Sequence, residues 1–244
     1  MATLDDRTPM FSKTAWLLIP WLAVAGTVAA QDGADRSPVV VELFTSQGCS
    51  SCPAADALLA EMAGREDIIP LALHVDYWDY IGWADGFAQS RFTMRQKGYA
   101  RAAGERRIYT PQMVVNGRED VVGSRPLKVA ALIEKHADTP PKVALTLKRE
   151  GDRLHIHARA LEKTRPCAIY AVQYEPARDV MIERGENAGR SIRYTHIVRD
   201  WTEVGTLPDD APFEAMMTVD ATLPVVVLVQ EDRFGPIVAA ARLE

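Results

Sequence analysis

The stretch that decides how the chain is interpreted is Gly48-Cys49-Ser50-Ser51-Cys52-Pro53. It follows an apolar run at residues 39–44, which predicts a buried strand. It precedes four apolar residues whose spacing predicts one face of a helix, namely Ala55, Leu58, Leu59 and Met62. Pro53 suits the first turn of that helix, where backbone N–H groups lack partners within the helix. The sequence therefore predicts a strand, a C-x-x-C motif and a helix in direct succession.

The two cysteines of this motif have different predicted roles. A cysteine in the first turn of a helix faces unpaired backbone N–H groups and the positive end of the helix dipole, which favour the thiolate. Cys49 is therefore predicted to be the attacking nucleophile, and Cys52 can resolve a mixed disulfide and release the substrate. A C-x-x-C motif alone also fits half of a zinc site or a static disulfide, but the strand-to-helix context favours a redox pair.

Strands and helices alternate on both sides of the motif. Further strands are predicted at residues 68–75, 109–115 and 119–122, and further helices at residues 83–103 and 126–137. Asn116-Gly117 separates the last two strands and is the dipeptide preferred in tight hairpin turns. The order predicts an α/β domain with a mixed sheet, βαβαββα, over residues 37–138.

A different pattern begins at Thr139-Pro140-Pro141, which ends the last helix. We interpret residues 139–142 as a linker. Beyond it, strand-like runs at residues 143–147, 154–158, 168–174 and 225–229 are separated by Gly, Pro and Asp, without a long amphipathic helix. A second, β-rich and sandwich-like domain is predicted over residues 143–244.

The N-terminus is typical of a secretory signal. Basic residues precede an apolar run at residues 15–25, and small residues lead up to Ala30. An uncleaved anchor helix is the alternative, but residues 15–30 are fewer than the roughly 20 that a membrane span needs. We expect residues 1–30 to be removed as a signal peptide, leaving a periplasmic or secreted chain without a membrane anchor, in an oxidising compartment.

Composition excludes several classes of function. The 244 residues are 48% hydrophobic and 25% charged, as in ordinary globular proteins. The net charge is -5, so no basic field exists to hold a nucleic-acid backbone. The 3 cysteines are too few for a disulfide-scaffolded small domain or a four-thiolate zinc site. We expect no nucleic-acid partner, no cofactor and no resident metal.

Much of the chain resembles a known family. Residues 39–137 look like a thioredoxin-like domain. The closer resemblance is to the secreted bacterial domain-of-unknown-function 1223 family, and it rests on Glu42-Leu-Phe-Thr-Ser-Gln-Gly-Cys-Ser-Ser-Cys-Pro, His74-Val-Asp-Tyr-Trp-Asp-Tyr and Tyr109-Thr-Pro-Gln-Met-Val-Val-Asn-Gly. It continues through Gly185-Glu-Asn-Ala-Gly-Arg and His196-Ile-Val-Arg. That family is similar to thioredoxins in fold and has no assigned substrate, so the resemblance implies more about fold than about function.

Further candidate site residues come from the thioredoxin pattern and from an aromatic segment. The resemblance implies a cis bond at Thr110-Pro111, with the Thr110 backbone pairing with an extended substrate. It also implies that Glu42 is a buried acid that takes a proton from Cys52. The alternatives are that Glu42 points at solvent or ends a salt bridge. Trp78 belongs to an aromatic-rich segment that either lines a substrate groove or packs in the core.

Two weaker features lie in the β-rich half. Five polar residues form a dense cluster that either binds a ligand or belongs to a tight turn with ion pairs: Glu186, Asn187, Arg190, His196 and Arg199. Cys167 precedes an apolar run and is expected to be a buried, unpaired thiol.

The leading hypothesis is an exported thiol–disulfide oxidoreductase that acts on protein thiols or disulfides together with an unidentified redox partner. The direction of electron flow does not follow from the sequence. One alternative is a Cu(I)-binding, metallochaperone-like module that uses both motif cysteines with His74 or the pair His155 and His157. The other is a binding protein whose disulfide only locks a loop.

Overall fold

A computed structural model describes residues 30–31 and 36–244. The predicted signal peptide lies outside these residues except for Ala30. The strands and helices are β1 (Ala30–Gln31), β2 (Val39–Thr45), α1 (Pro53–Glu61), β3 (Ile68–His74), α2 (Ser90–Ala102), β4 (Gln112–Val115), β5 (Glu119–Val122), α3 (Pro126–Ala137), β6 (Val143–Glu150), β7 (Arg153–Ala160), β8 (Cys167–Met181), β9 (Ser191–Leu207), β10 (Phe213–Thr218), β11 (Val225–Glu231) and β12 (Ile237–Leu243).

The order from β2 to α3 is the predicted βαβαββα, but the second helix is shorter than expected. It begins at Ser90, and a single 3₁₀ turn, Asp79–Ile81, precedes it. The loop between them stays non-helical because the Asp85 carboxylate accepts hydrogen bonds from the backbone N–H groups of Gln47 and Phe87. The segment is thereby tied to the end of β2 instead of continuing the helix.

The main sheet has eight strands in the order β12-β11-β8-β9-β3-β2-β4-β5. Strand β3 pairs in parallel with β2 and with β9, and the other pairs are antiparallel, so the sheet is mixed as predicted. The junction between the predicted domains is the β3–β9 pair, where Ala72 aligns with Ile197. The two halves of the chain therefore share one continuous sheet.

A second sheet packs on the C-terminal half of the main sheet. Its order is β1-β6-β7-β10, and all pairs are antiparallel. The core between the sheets is aliphatic and includes Leu145, Leu147, Leu154, Ile156, Ile169, Val225, Val227 and Val229. The β-rich half thus consists of two packed sheets.

Alternation along β2 assigns the helices to opposite faces of the main sheet. Val41 and Leu43 pack with α1 and α3, whereas Val40 and Phe44 pack with α2. The C-x-x-C loop follows the C-terminal end of β2 and leads into α1. Within the described part of the chain, no helix has the length and apolar character needed to cross a membrane.

Candidate functional site

Cys49 and Cys52 form a disulfide at the start of α1. Their Cα atoms are 5.4 Å apart, and Cys52 is the N-cap residue of the helix. Cys49 is only 1% exposed and Cys52 is fully buried, although the intervening Ser50 and Ser51 are exposed. The predicted pair is therefore present at the predicted place, but other parts of the chain cover its sulfur atoms.

The loop before the disulfide is tightly held. Ser46 accepts two backbone N–H groups, that of Gly48 on its hydroxyl at 3.1 Å and that of Cys49 on its carbonyl at 3.1 Å. A Cβ atom on Gly48 would lie 3.0 Å from Ile81 and 3.2 Å from the Cβ of Trp78. The loop therefore passes directly against the 3₁₀ turn, at a distance that glycine permits.

Trp78 and the Thr110–Pro111 peptide lie together beside the motif. The Trp78 indole N–H donates to the Thr110 hydroxyl at 2.8 Å. The Thr110–Pro111 bond is cis, as predicted, and the Pro111 carbonyl accepts the N–H of Gly123 at 3.0 Å. Gly123 in turn abuts α1, because a Cβ placed on it would lie 3.0 Å from the Cβ of Ala55. These contacts connect the predicted substrate-binding residues to the helix that carries the cysteines.

Glu42 does not occupy the predicted position. Its carboxylate accepts a hydrogen bond from Arg95 Nε at 2.6 Å and another from the Tyr99 hydroxyl, and all three side chains are buried. Strand alternation places Glu42 on the face of β2 that α2 covers, opposite to α1. Glu42 therefore forms a salt bridge, which was one of the two alternatives to the proton-transfer role. It is not positioned to take a proton from Cys52.

Asp56 is a buried acid on α1, the helix that Cys52 caps. It lies one helical turn after Cys52 and is 4% exposed. Neither carboxylate oxygen has a hydrogen-bond partner among the described residues, and the same holds for Thr45 Oγ1 and His74 Nε2. Burial raises the pKa of Asp56 to about 7, although His74 and Thr45 act in the opposite direction. A polar residue one turn after the second cysteine was the available signal in the sequence.

His74 is paired with another buried carboxylate, that of Asp85. Its Nδ1 donates to Asp85 Oδ2 at 2.7 Å, and both side chains are fully buried. The same oxygen accepts the backbone N–H of Gln47 at 2.8 Å. Burial by itself would raise the pKa of Asp85, but His74 and the backbone N–H donors hold it below its ordinary value. Asp85 therefore fixes His74 and the cysteine loop relative to each other.

The turn between β8 and β9 reaches the cysteine loop from the other half of the chain. We call residues 182–190 the hairpin tip. The Asn187 side-chain amide donates to the carbonyls of Gln47 at 2.9 Å and Cys49 at 3.0 Å. The Ser50 N–H donates to the Glu186 carboxylate at 3.3 Å. Sequence analysis identified Glu186 and Asn187 as a cluster but gave no indication that they meet residues almost 140 positions away.

The other members of that polar cluster have separate roles. Arg190 donates to Asn187 Oδ1 at 2.8 Å and so supports the tip. His196 stacks on Tyr174 with ring centroids 4.9 Å apart, and burial lowers its pKa to about 4. Arg199 lies over the Phe87 ring, 5.6 Å from its centroid.

The described residues give no assembled ligand set for the Cu(I) hypothesis. They contain no group of three or more His, Cys, Asp and Glu side chains arranged to hold a metal ion. His155 and His157 lie on β7 in the smaller sheet, where His157 is 4.0 Å from Glu214. Cys167 is the expected buried free thiol, and its S–H donates to the Arg165 carbonyl at 3.1 Å.

Comparison with known proteins agrees with the family resemblance. Residues 40–230 match the family described as "Protein of unknown function (DUF1223)". A crystal structure of protein AGR_C_4864 from Agrobacterium tumefaciens is 31% identical, with a TM-score of 0.73, over 86% of this chain and 96% of that chain. HBP35 of Porphyromonas gingivalis is 17% identical, with a TM-score of 0.66, over 86% of this chain and 76% of its own, which shows a shared fold. No curated protein sequence matches significantly.

Proposed function

Because the chain belongs to the DUF1223 family, whose function is unknown, we propose its activity from its own site: it is a thiol–disulfide oxidoreductase. The observation that supports this proposal is the Cys49–Cys52 disulfide at the start of α1, one helical turn before the buried acid Asp56. A disulfide that only locks a loop has no need of such an acid. The βαβαββα order around the motif supports a thioredoxin-like classification of this half.

The exchange takes two steps. A substrate thiolate attacks the Cys49 sulfur, which forms a mixed disulfide and breaks the Cys49–Cys52 bond. Cys52 leaves as a thiolate, and protonation completes the thiol. A second substrate thiolate then attacks the substrate sulfur of the mixed disulfide, which releases a substrate disulfide and the Cys49 thiolate. Two electrons pass from the substrate to the protein, and the reverse sequence reduces a substrate disulfide.

Asp56 is the proposed proton donor and acceptor for Cys52. A carboxyl with a pKa of about 7 is close to evenly protonated near neutral pH, so it can give or take a proton in either direction. Helical geometry places the side chains of residues four apart on the same face of a helix, which brings Asp56 towards Cys52. Asp56 thus takes the role that the family resemblance had implied for Glu42.

The partners and the location follow from the same proposal. Polypeptides with cysteine pairs are the proposed substrates, and a further redox protein restores the pair after each turnover. The proposed location is periplasmic or secreted; it rests on the N-terminal sequence, and an oxidising compartment is compatible with a reversible disulfide of this kind. The Cu(I) hypothesis gains no specific support from the arrangement of the described residues.

Single-cysteine variants test the proposal. A Cys52→Ser protein incubated with an oxidised two-cysteine peptide should accumulate a mixed disulfide, which mass spectrometry detects, because attack proceeds while resolution cannot. Cys49→Ser should accumulate none, and Cys167→Ser, the matched control, should behave like the unmodified protein.

The reduction potential decides between a redox pair and a structural bridge. Equilibration with a thiol–disulfide buffer should give a potential above about -300 mV for a redox pair. A lower potential, together with no mixed disulfide in the Cys52→Ser protein, would reject the proposed function.

A further inference from the structure

The hairpin tip is attached to the cysteine loop through one buried side chain, since the other buried residue of the tip, Ile182, packs in the cluster with Phe87 and Tyr194. Of residues 183–190, Asn187 is buried with 1% exposure, and the remaining seven are exposed. The tip closes on itself through its own backbone, because Gly189 N–H donates to the Ile182 carbonyl at 2.7 Å. Contact between the tip and the cysteine loop therefore depends largely on what Asn187 does.

Every polar atom of the Asn187 side chain is in use. The amide nitrogen donates to the carbonyls of Gln47 and Cys49, and the amide oxygen accepts from Arg190. A side-chain amide has two N–H donors, so both are satisfied by the cysteine loop. The remaining polar contact of the tip, between Glu186 and the Ser50 N–H, is longer at 3.3 Å and exposed.

The two carbonyls that Asn187 occupies matter for the exchange. One of them belongs to Cys49 itself, which is only 1% exposed, so on this route a thiolate reaches the sulfur by displacing the tip, and both carbonyls then lose their donors. Buried carbonyls that lose their partners carry a penalty that a new donor can remove. A polypeptide can supply backbone N–H donors along its length, in the manner of strand addition. A small thiol such as glutathione, with one amide N–H on each side of its cysteine, lacks the extended run of N–H groups that strand addition uses.

We infer that Asn187 is a specificity-determining residue that excludes small thiols from Cys49 and yields to polypeptides whose N–H groups replace it on the Gln47 and Cys49 carbonyls. This inference rests on the proposed function and names its substrate class, namely polypeptide thiols rather than low-molecular-weight thiols. The chemical step is unchanged: the incoming sulfur bonds to Cys49 as the Cys49–Cys52 bond breaks and Cys52 departs. The residue acts on access and not on the reacting atoms.

The test compares two reductants on the same oxidised protein, glutathione and a reduced two-cysteine peptide. Asn187→Asp keeps the size of the side chain and the acceptor for Arg190 but removes both donors to the loop. Asn187→Ala removes the whole contact. Both variants should react with glutathione about tenfold or more faster than the unmodified protein, the scale expected for two lost hydrogen bonds. The rate with the peptide should change by less than about threefold, because the peptide displaces the tip in either case.

Two further variants separate this outcome from a general loss of structure. Glu183→Ala changes an exposed residue of the same tip and should alter neither rate. Arg190→Gln leaves Asn187 in place but weakens its support, and it should give an intermediate acceleration with glutathione. If Asn187→Ala fails to fold, as judged by circular dichroism, the Asn187→Asp and Arg190→Gln proteins still give the comparison.

The outcomes distinguish the inference from the proposed function. An equal acceleration with both reductants, or glutathione rates within about twofold of the unmodified protein, would overturn the role of Asn187 while leaving the exchange activity intact. An unmodified protein that exchanges with neither reductant would instead reject the proposed function itself.

Discussion

Replacing Asp56 by asparagine should stabilise the oxidised protein near pH 8 and leave its stability almost unchanged near pH 4. The substitution keeps the size and shape of the side chain and removes its ability to ionise. Burial raises the pKa of Asp56 to about 7, so the folded protein holds this proton far more tightly than the unfolded chain does. The ionised carboxylate is therefore a source of instability that the variant lacks.

The magnitude follows from the two pKa values. The pKa of Asp56 rises from an ordinary value of 3.8 to about 7 in the folded protein. A tenfold change in proton affinity corresponds to about 1.4 kcal/mol, so ionisation of Asp56 lowers the free energy of unfolding by about 4 kcal/mol. The new amide can also donate to Thr45 Oγ1, which has no partner among the described residues. We expect Asp56→Asn to recover much of this energy above neutral pH.

The sign of the pH dependence is definite. The neutral carboxyl is present in both states below the unfolded pKa of about 4, so Asp56 causes no penalty there. As the pH rises from about 4 to 7, the unfolded chain ionises first and the folded protein loses stability. Above about pH 7 the penalty is complete and no longer changes. The difference between the variant and the unmodified protein should follow the same course.

Denaturant titration of the oxidised proteins at about pH 4, 6 and 8 measures this difference as a change in midpoint at constant slope. A gain of similar size at all pH values would show that Asp56 is not the titrating group. A net loss at the highest pH would show that the carboxylate is stabilised by contacts that the structure does not contain. In the exchange reaction, Asp56→Asn should also flatten the pH profile of the step in which Cys52 leaves.

Three further substitutions test neighbouring assignments. Glu42→Gln should lower the free energy of unfolding by about 3 to 5 kcal/mol, because it leaves the buried Arg95 without its counter-charge. The thiol-exchange rate should stay unchanged, and a slower exchange would restore Glu42 as a proton acceptor. Asp85→Asn should destabilise the protein at neutral pH. The loss of stability should shrink as the pH falls through the lowered pKa of Asp85, because its pairing with His74 stabilises only the ionised form. A loss of stability that does not depend on pH would contradict this assignment. Cys167→Ala should leave exchange unaffected and reduce the thiol count of the unfolded, unreduced protein from one to none, whereas altered exchange kinetics would implicate the third cysteine.

The elements around the motif were predictable because each has a strong local signal. The apolar run before the cysteines became β2, and helix α3 has the predicted bounds, Pro126–Ala137. Asn116 and Gly117 adopt the positive φ angles of 48° and 63° that the hairpin turn requires. In contrast, the loop before α2 is held by Asp85 through tertiary hydrogen bonds, which no periodicity in the local sequence could indicate.

The site was only partly predictable, and the reason is geometric. The thioredoxin resemblance implied the proton-transfer role for Glu42 from its place in the strand before the cysteines, but successive side chains of a strand point to opposite faces. The helix that covers each face is set by the tertiary structure, which the local sequence does not encode. In this protein α2 covers the Glu42 face, and Glu42 pairs with Arg95. The position of Asp56 relative to Cys52 is set by the helix α1 alone and does not depend on which helix covers which face. Asn187 lies beyond any local signal, because its contact with the cysteine loop requires the β8–β9 hairpin to be built first.

That hairpin joins the two halves of the site into one unit. The alignment of Ala72 with Ile197 places β9 beside β3, and the Tyr194 ring consequently packs edge-on against His74 with centroids 5.0 Å apart. The same hairpin carries Asn187 to the cysteine loop. The element that covers the disulfide therefore also helps to exclude water from the buried acid. Water that enters when the hairpin is displaced would weaken the burial that raises the pKa of Asp56, so access to the disulfide and proton affinity behind it are physically coupled.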